Sequence, residues 1–123
     1  MVKIPVPTEA AEQSCLFEWA DMAQTKYPCL RHMFAIPNGG SRHILEAVNL
    51  KKQGVKSGVP DIMLPIAKQG FHGLFIEMKR QKGGRESPEQ KEYKEYLLSE
   101  GYKSITCQSW IVARREIEEY LKE

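Results

Sequence analysis

The sequence predicts an α/β fold, a mixed β-sheet flanked by helices, in a single domain spanning residues 1–123. Three observations predict it. Apolar stripes at helical period alternate with short strand-grade runs, giving the order α-β-α-β-β-α-β-α. Two of those runs, Asp61 to Ala67 and Gly73 to Lys79, are joined by the short turn Lys68-Gln69-Gly70, which favours an antiparallel hairpin over a crossover. Finally, 123 residues suffice for one modest core, and no repeat or linker divides the chain.

Each element has its own signal. Thr8 is placed to cap a first helix running to about Thr25, with Glu9 in its first turn and Leu16, Trp19, Ala20 and Ala23 on one side. Pro28 breaks the chain, and Met33 to Ile36 reads as a short strand before the turn-rich Pro37-Asn38-Gly39-Gly40. Ser41 is the expected cap of a second helix through about Gln53, stopped by Gly54; Val55 to Pro60 is a loop. After the hairpin, Gln81 to Glu86 forms a polar, mostly basic loop. Ser87-Pro88-Glu89-Gln90 then carries a full helix start, with Ser87 as cap, Pro88 first in the helix and Gln90 as the reciprocal capping-box partner. That helix is expected to bury Tyr93, Tyr96 and Leu97 and to stop at Gly101. Tyr102 to Cys107 is the fourth strand. A last helix from about Ser109 aligns Trp110, Ala113, Ile117, Tyr120 and Leu121.

Composition narrows the function classes. A net charge of +2 tolerates a polyanionic partner without predicting one, so any nucleic-acid surface must come from local clustering of Lys and Arg. No apolar run approaches the roughly 20 residues that span a bilayer. The first residues lack the apolar core and cleavage site of a secretory signal. Cys15, Cys29 and Cys107 are odd in number and widely spaced, which reads as reduced thiols and a cytoplasmic protein. His32, His43 and His72 share no metal-ligand spacing.

The stretch that carries chemistry is Gly58-Val59-Pro60-Asp61, fifteen intervening residues, then Glu77-Met78-Lys79. Strand alternation points Glu77 and Lys79 to one face and Leu74, Ile76 and Met78 to the other. If the two strands pair, the Asp61 carboxylate approaches that of Glu77, an arrangement that is costly unless a cation lies between them. A Glu-x-Lys pair alone is ordinarily a solvated ion pair, and Asp after Pro is often a turn residue. Here both acids are embedded in apolar strands, where charges are seldom placed without a partner. Two carboxylates suit Mg²⁺ or Mn²⁺ rather than zinc. An ion so held, with a lysine beside it, suits phosphodiester hydrolysis.

The runs G-V-P-D-I-M-L, G-L-F-I-E-M-K-R and S-P-E-Q, with Glu9 four residues before Gln13 and I-P-N-G-G-S-R at Ile36 to Arg42, resemble the VRR-NUC nucleases. These are a branch of the PD-(D/E)XK superfamily, and the resemblance covers roughly residues 8 to 110. It implies a restriction-endonuclease-like core, Asp61 and Glu77 as metal ligands with the Met78 carbonyl as a further one, Lys79 as catalytic lysine and Gln90 as support from the following helix. It also implies an acid on the first helix: Glu9 fits the spacing, and Glu12, one turn along, stays open. Stand-alone members of this size are similar to phage and bacterial homodimers related in fold to Holliday junction resolvases.

Asn38, Arg42, Lys56, Arg80, Lys82 and Arg85 are the candidate DNA contacts, with Lys51 and Lys52 nearby; some of these charges are ordinary solvated surface. The leading expectation is a Mg²⁺-dependent endonuclease, also served by Mn²⁺, acting as a homodimer on branched DNA such as four-way junctions. The alternatives are an idle DNA-binding module and a sequence-specific restriction-type enzyme, which needs more chain for base readout.

Overall fold

The computed structural model describes residues 4–37 and 44–122. Helix α1 (Glu9–Met22) starts where Thr8 accepts a hydrogen bond from the Ala11 N–H, as the sequence implies. It stops three residues short of the expected Thr25, because Ala23–Thr25 tightens into a 3₁₀ turn, and Pro28–His32 forms a second such turn. The first strand, β1 (Phe34–Ala35), is shorter than the Met33–Ile36 run, since Met33 is buried as the cap of the preceding turn.

Helix α2 (Ile44–Lys52) ends before Gly54, whose positive φ terminates it as expected. Its proposed cap, Ser41, lies outside the described residues. Strand β2 (Ile62–Leu64) stops at Pro65, which has no N–H to give the ladder. It pairs antiparallel with both β1 and β3 (Leu74–Met78), confirming the hairpin. Helix α3 (Pro88–Ser99) carries both halves of the capping box. It leads to β4 (Lys103–Cys107), which lies parallel to β3. Helix α4 (Trp110–Tyr120), capped by Ser109, closes the described chain. The four-stranded sheet has the order β1-β2-β3-β4.

Register decides which side chains share a face. Ile62 lies opposite Ile76, Leu64 opposite Leu74, and Met78 beside Cys107. These residues are fully buried and form one cluster with Leu16, Trp19 and Ala20 of α1 and Ala113, Ile117 and Tyr120 of α4. The opposite face, bearing Phe75 and Glu77, belongs to the side on which α3 packs. Only Leu97 of α3 is buried there. The expectation for Tyr96 fails: it is 56% exposed and meets Tyr93 edge-on, while Tyr93 and Trp110 are half-buried. A single helix laid on a narrow sheet covers only one stripe of its own surface, so the flanking tyrosines stay outside.

At the far end of the sheet, the buried Tyr120 hydroxyl donates to the Ile66 carbonyl and accepts from the Lys68 N–H. The Gln69 amide donates to the Glu119 and Tyr120 carbonyls, so the hairpin caps the end of α4 and the register of β2 on β3 is held from outside the sheet.

Candidate active site

The antiparallel pairing of Ile62 with Ile76, continued by one residue, sets Asp61 across from Glu77 at the end of the sheet where β3 finishes. The Asp61 carboxylate reaches over the ladder and accepts the Met78 N–H at 2.8 Å. Lys79 continues the parallel pairing, its N–H donating to the Cys107 carbonyl, so its side chain shares the face of Glu77.

Gln90 ties these groups to α3. Its amide oxygen accepts the Lys79 Nζ at 3.0 Å and the Ser87 N–H at 2.8 Å, while its Nε2 donates to Glu77 Oε1. Lys79 Nζ stands 3.7 Å from that same carboxylate oxygen. The capping-box residue that starts α3 is therefore also the bracket between the lysine and the acid. Gly58 brings the Asp61 loop against the same helix: its φ is +87° and a Cβ there would lie 2.6 Å from the Glu89 carbonyl oxygen, so glycine alone permits the approach.

Glu77 is almost fully buried, and its second oxygen, Oε2, has no hydrogen-bond donor among the described residues. Burial, and after it the Asp61 charge and a proton shared with Asp61, push the Glu77 carboxyl up to about 8. Lys79 pulls it back only in part, and Glu9 adds to the push. An oxygen-lined gap between two acids, one of them orphaned, fits a hard divalent cation. Among the described residues no three His, Cys, Asp or Glu side chains close into a complete cage.

The two acids that the sequence offers on α1 differ in burial and in what they face. Glu9 is exposed and lines an open cleft of about 530 Å³ together with Gln13, Ile36, Pro37 and Asp61. Glu12 is 2% exposed and committed elsewhere, accepting the Trp110 N–H at 3.1 Å and the Gln81 amide at 2.9 Å. It holds the start of α4 and the segment after Lys79, and its charge suits the helix N-terminus. Glu9, not Glu12, faces the acid pair.

Among the candidate DNA contacts, Lys56, Arg80, Lys82 and Arg85 are exposed, as are Lys51 and Lys52. Arg80 also donates to the Val6 carbonyl at 3.5 Å. Asn38 and Arg42 lie outside the described residues. His32 and His72 are exposed and contribute nothing to the site. The cysteines are free, and burial pushes the Cys107 thiol up to about 12, which makes it inert.

Sequence reasoning missed one cluster. Glu86 accepts from the Thr106 hydroxyl and from Lys94 Nζ at 3.3 Å, closing the basic loop onto β4 and α3. The Thr106 hydrogen bond, ahead of Lys94, holds the Glu86 carboxyl below its ordinary range. The parallel register that sets Thr106 beside Glu77 is the signal, and it is not written in local sequence.

The VRR-NUC domain profile matches residues 7–110. A solved structure described as a VRR_NUC domain protein is similar with a TM-score of 0.80 and 29% identity, over 96% of this chain and 91% of that one. Among curated proteins no match is found. No helix among the described residues is long and apolar enough to cross a membrane.

Proposed function

The chain belongs to the VRR-NUC family, with the PD-(D/E)XK-like core and nuclease-type function that membership implies, and from that premise we propose that it is a Mg²⁺-dependent endonuclease of branched DNA. The observation that carries the reading is the pairing of the half-buried Asp61 with the buried Glu77, whose second oxygen is unpartnered among the described residues and which is bracketed to Lys79 through Gln90. Asp61 and Glu77, with the Met78 carbonyl, are the proposed ligands of Mg²⁺ or Mn²⁺, and Glu9 completes the acidic rim from α1. A divalent ion held there supplies Lewis acidity to a phosphoryl oxygen and eases deprotonation of the attacking water.

The chain's own residues do the rest. Gln90 accepts one Lys79 N–H and Glu77 takes a second through the ion pair, so the lysine is aimed and a third donor is left for an incoming oxygen. Lys79 then stabilises negative charge as it builds on the phosphate. The exposed Lys56, Arg80, Lys82 and Arg85 flank this centre and would meet the backbone on either side. A homodimer would offer two such centres to two strands of a junction.

The test is incubation with synthetic four-way junctions, flaps and linear duplex in Mg²⁺ or Mn²⁺. Junctions and flaps are cut, and Asp61→Asn abolishes cutting while binding persists. Sequence-dependent cutting of plain duplex would instead indicate a restriction-type enzyme, and binding without cutting by the unaltered protein an idle module.

A further inference from the structure

On the Lys79 side of the acid pair the surface opens into a second cleft, of about 390 Å³, lined by Lys79, Gly84, Glu86, Thr106, Gln108 and Val112. Its chemistry differs from that of the basic loop beside it. Arg80, Lys82 and Arg85 present exposed cations suited to phosphates. The cleft wall instead carries the Glu86 carboxylate, its charge balanced by Lys94. Lys79 stands at one edge of the cleft, where the phosphate under attack belongs, and away from that edge a phosphodiester gains little from the Glu86 wall. A neutral heteroaromatic ring meets no like charge there.

The rest of the lining suits a ring as well. Val112 is exposed at the mouth, and Ile111 next to it is exposed too, an apolar shelf at the start of α4 that the core does not use. Gln108 is exposed and its amide offers a donor and an acceptor to a planar polar edge. A base inside a duplex is stacked on both faces and cannot enter a cleft of this size. Resting on the nuclease reading above, we propose that this cleft seats one unpaired nucleobase of the DNA next to the phosphate under attack, Val112 against its face and Gln108 at its edge. Because an amide satisfies either donor or acceptor edges, the seat accepts any base. Branched substrates are selected because a flap carries an unpaired base and the pairs flanking a four-way branch point open at less cost than those inside a duplex.

The experiment places 2-aminopurine singly at each nucleotide around the branch point of a flap or four-way junction and records fluorescence with the full-length protein in Ca²⁺. One position brightens on binding, and the double variant Gln108→Ala, Val112→Ser abolishes that brightening while affinity for linear duplex stays within about twofold, both side chains being exposed and clear of the acid pair. An abasic site at the same nucleotide slows cleavage by the unaltered protein about tenfold, the loss of one base contact, and leaves the double variant's rate where it was. If no position brightens, if the brightening survives the double variant, or if the abasic site has no effect, the proposal is overturned. Junction cutting without brightening would leave the nuclease reading intact and remove the cleft. Variant-sensitive brightening without any cutting would do the reverse.

Discussion

Replacing Glu77 by Gln tests the argument for a cation site without requiring any DNA. Gln has the shape of a protonated Glu and keeps an oxygen for the Gln90 amide. In the metal-free protein the Glu77 carboxyl ionises only near pH 8, whereas the unfolded chain ionises it near its ordinary value of 4.5. Between those values the unfolded state has released a proton that the folded state retains, so stability falls as pH rises from about 4.5 to about 8 and is level beyond. A shift of that size integrates to at most about 5 kcal/mol. The clefts on either side admit water, which screens the pair and reduces this to roughly 2 kcal/mol. For a domain of this length that is about 6–10 °C in Tm. Thermal melts in EDTA should therefore coincide for the two proteins at pH 4.5 and separate at pH 8.5, with Glu77→Gln the more stable. Mg²⁺ should raise the unaltered protein and leave the variant nearly still. Equal melting at pH 8.5, or a less stable variant, would refute the claim that the acid pair is uncomfortable without a cation.

Glu9 and Glu12 should separate function from structure. Glu9→Ala should leave the unfolding free energy within about 0.5 kcal/mol of the unaltered protein and slow cleavage at least tenfold, whereas Glu12→Ala should cost about 2–3 kcal/mol in denaturant melts by orphaning the Trp110 and Gln81 donors. Lys79→Met should lower the cleavage rate by about a hundredfold or more with DNA affinity nearly unchanged, read by single-turnover kinetics beside a filter-binding titration. Gln90→Ala should do both kinds of damage, about 1 kcal/mol from the broken capping box and a rate loss from the released lysine; melts and single-turnover rates measured on one preparation check the pairing of the two. Gly58→Ala should destabilise by about 1–3 kcal/mol, since it adds strain at positive φ and drives a methyl into the Glu89 carbonyl, and calorimetry would register it.

Local sequence determined most elements because their signals are short-range. Thr8, Ser87 and Ser109 cap helices through bonds that span three residues, and Gly54 stops α2 within a turn of its end. The alternation through Leu74 to Lys79 assigned the apolar and chemical faces of β3 before any partner was known. With the short hairpin connection, it also brought Asp61 toward Glu77. The capping box named Gln90 for a reason unrelated to catalysis, and the same amide turned out to bracket the lysine.

Tertiary packing decided what depends on partners distant in the chain. Glu9 and Glu12 sit in one helical turn and look alike as residues; only the docking of α1 on α4 buries one at the Trp110 N–H and leaves the other beside Asp61. Tyr96 stayed outside because one helix on a narrow sheet buries a single stripe, a fact of layer geometry rather than of propensity. The Glu86–Thr106–Lys94 cluster and the cleft beside it exist because β4 runs parallel to β3 in one register. Hydrogen-bond caps and side-chain alternation act over a few residues and are written where they act. Burial and electrostatic environment are sums over neighbours that the chain brings together only when it folds.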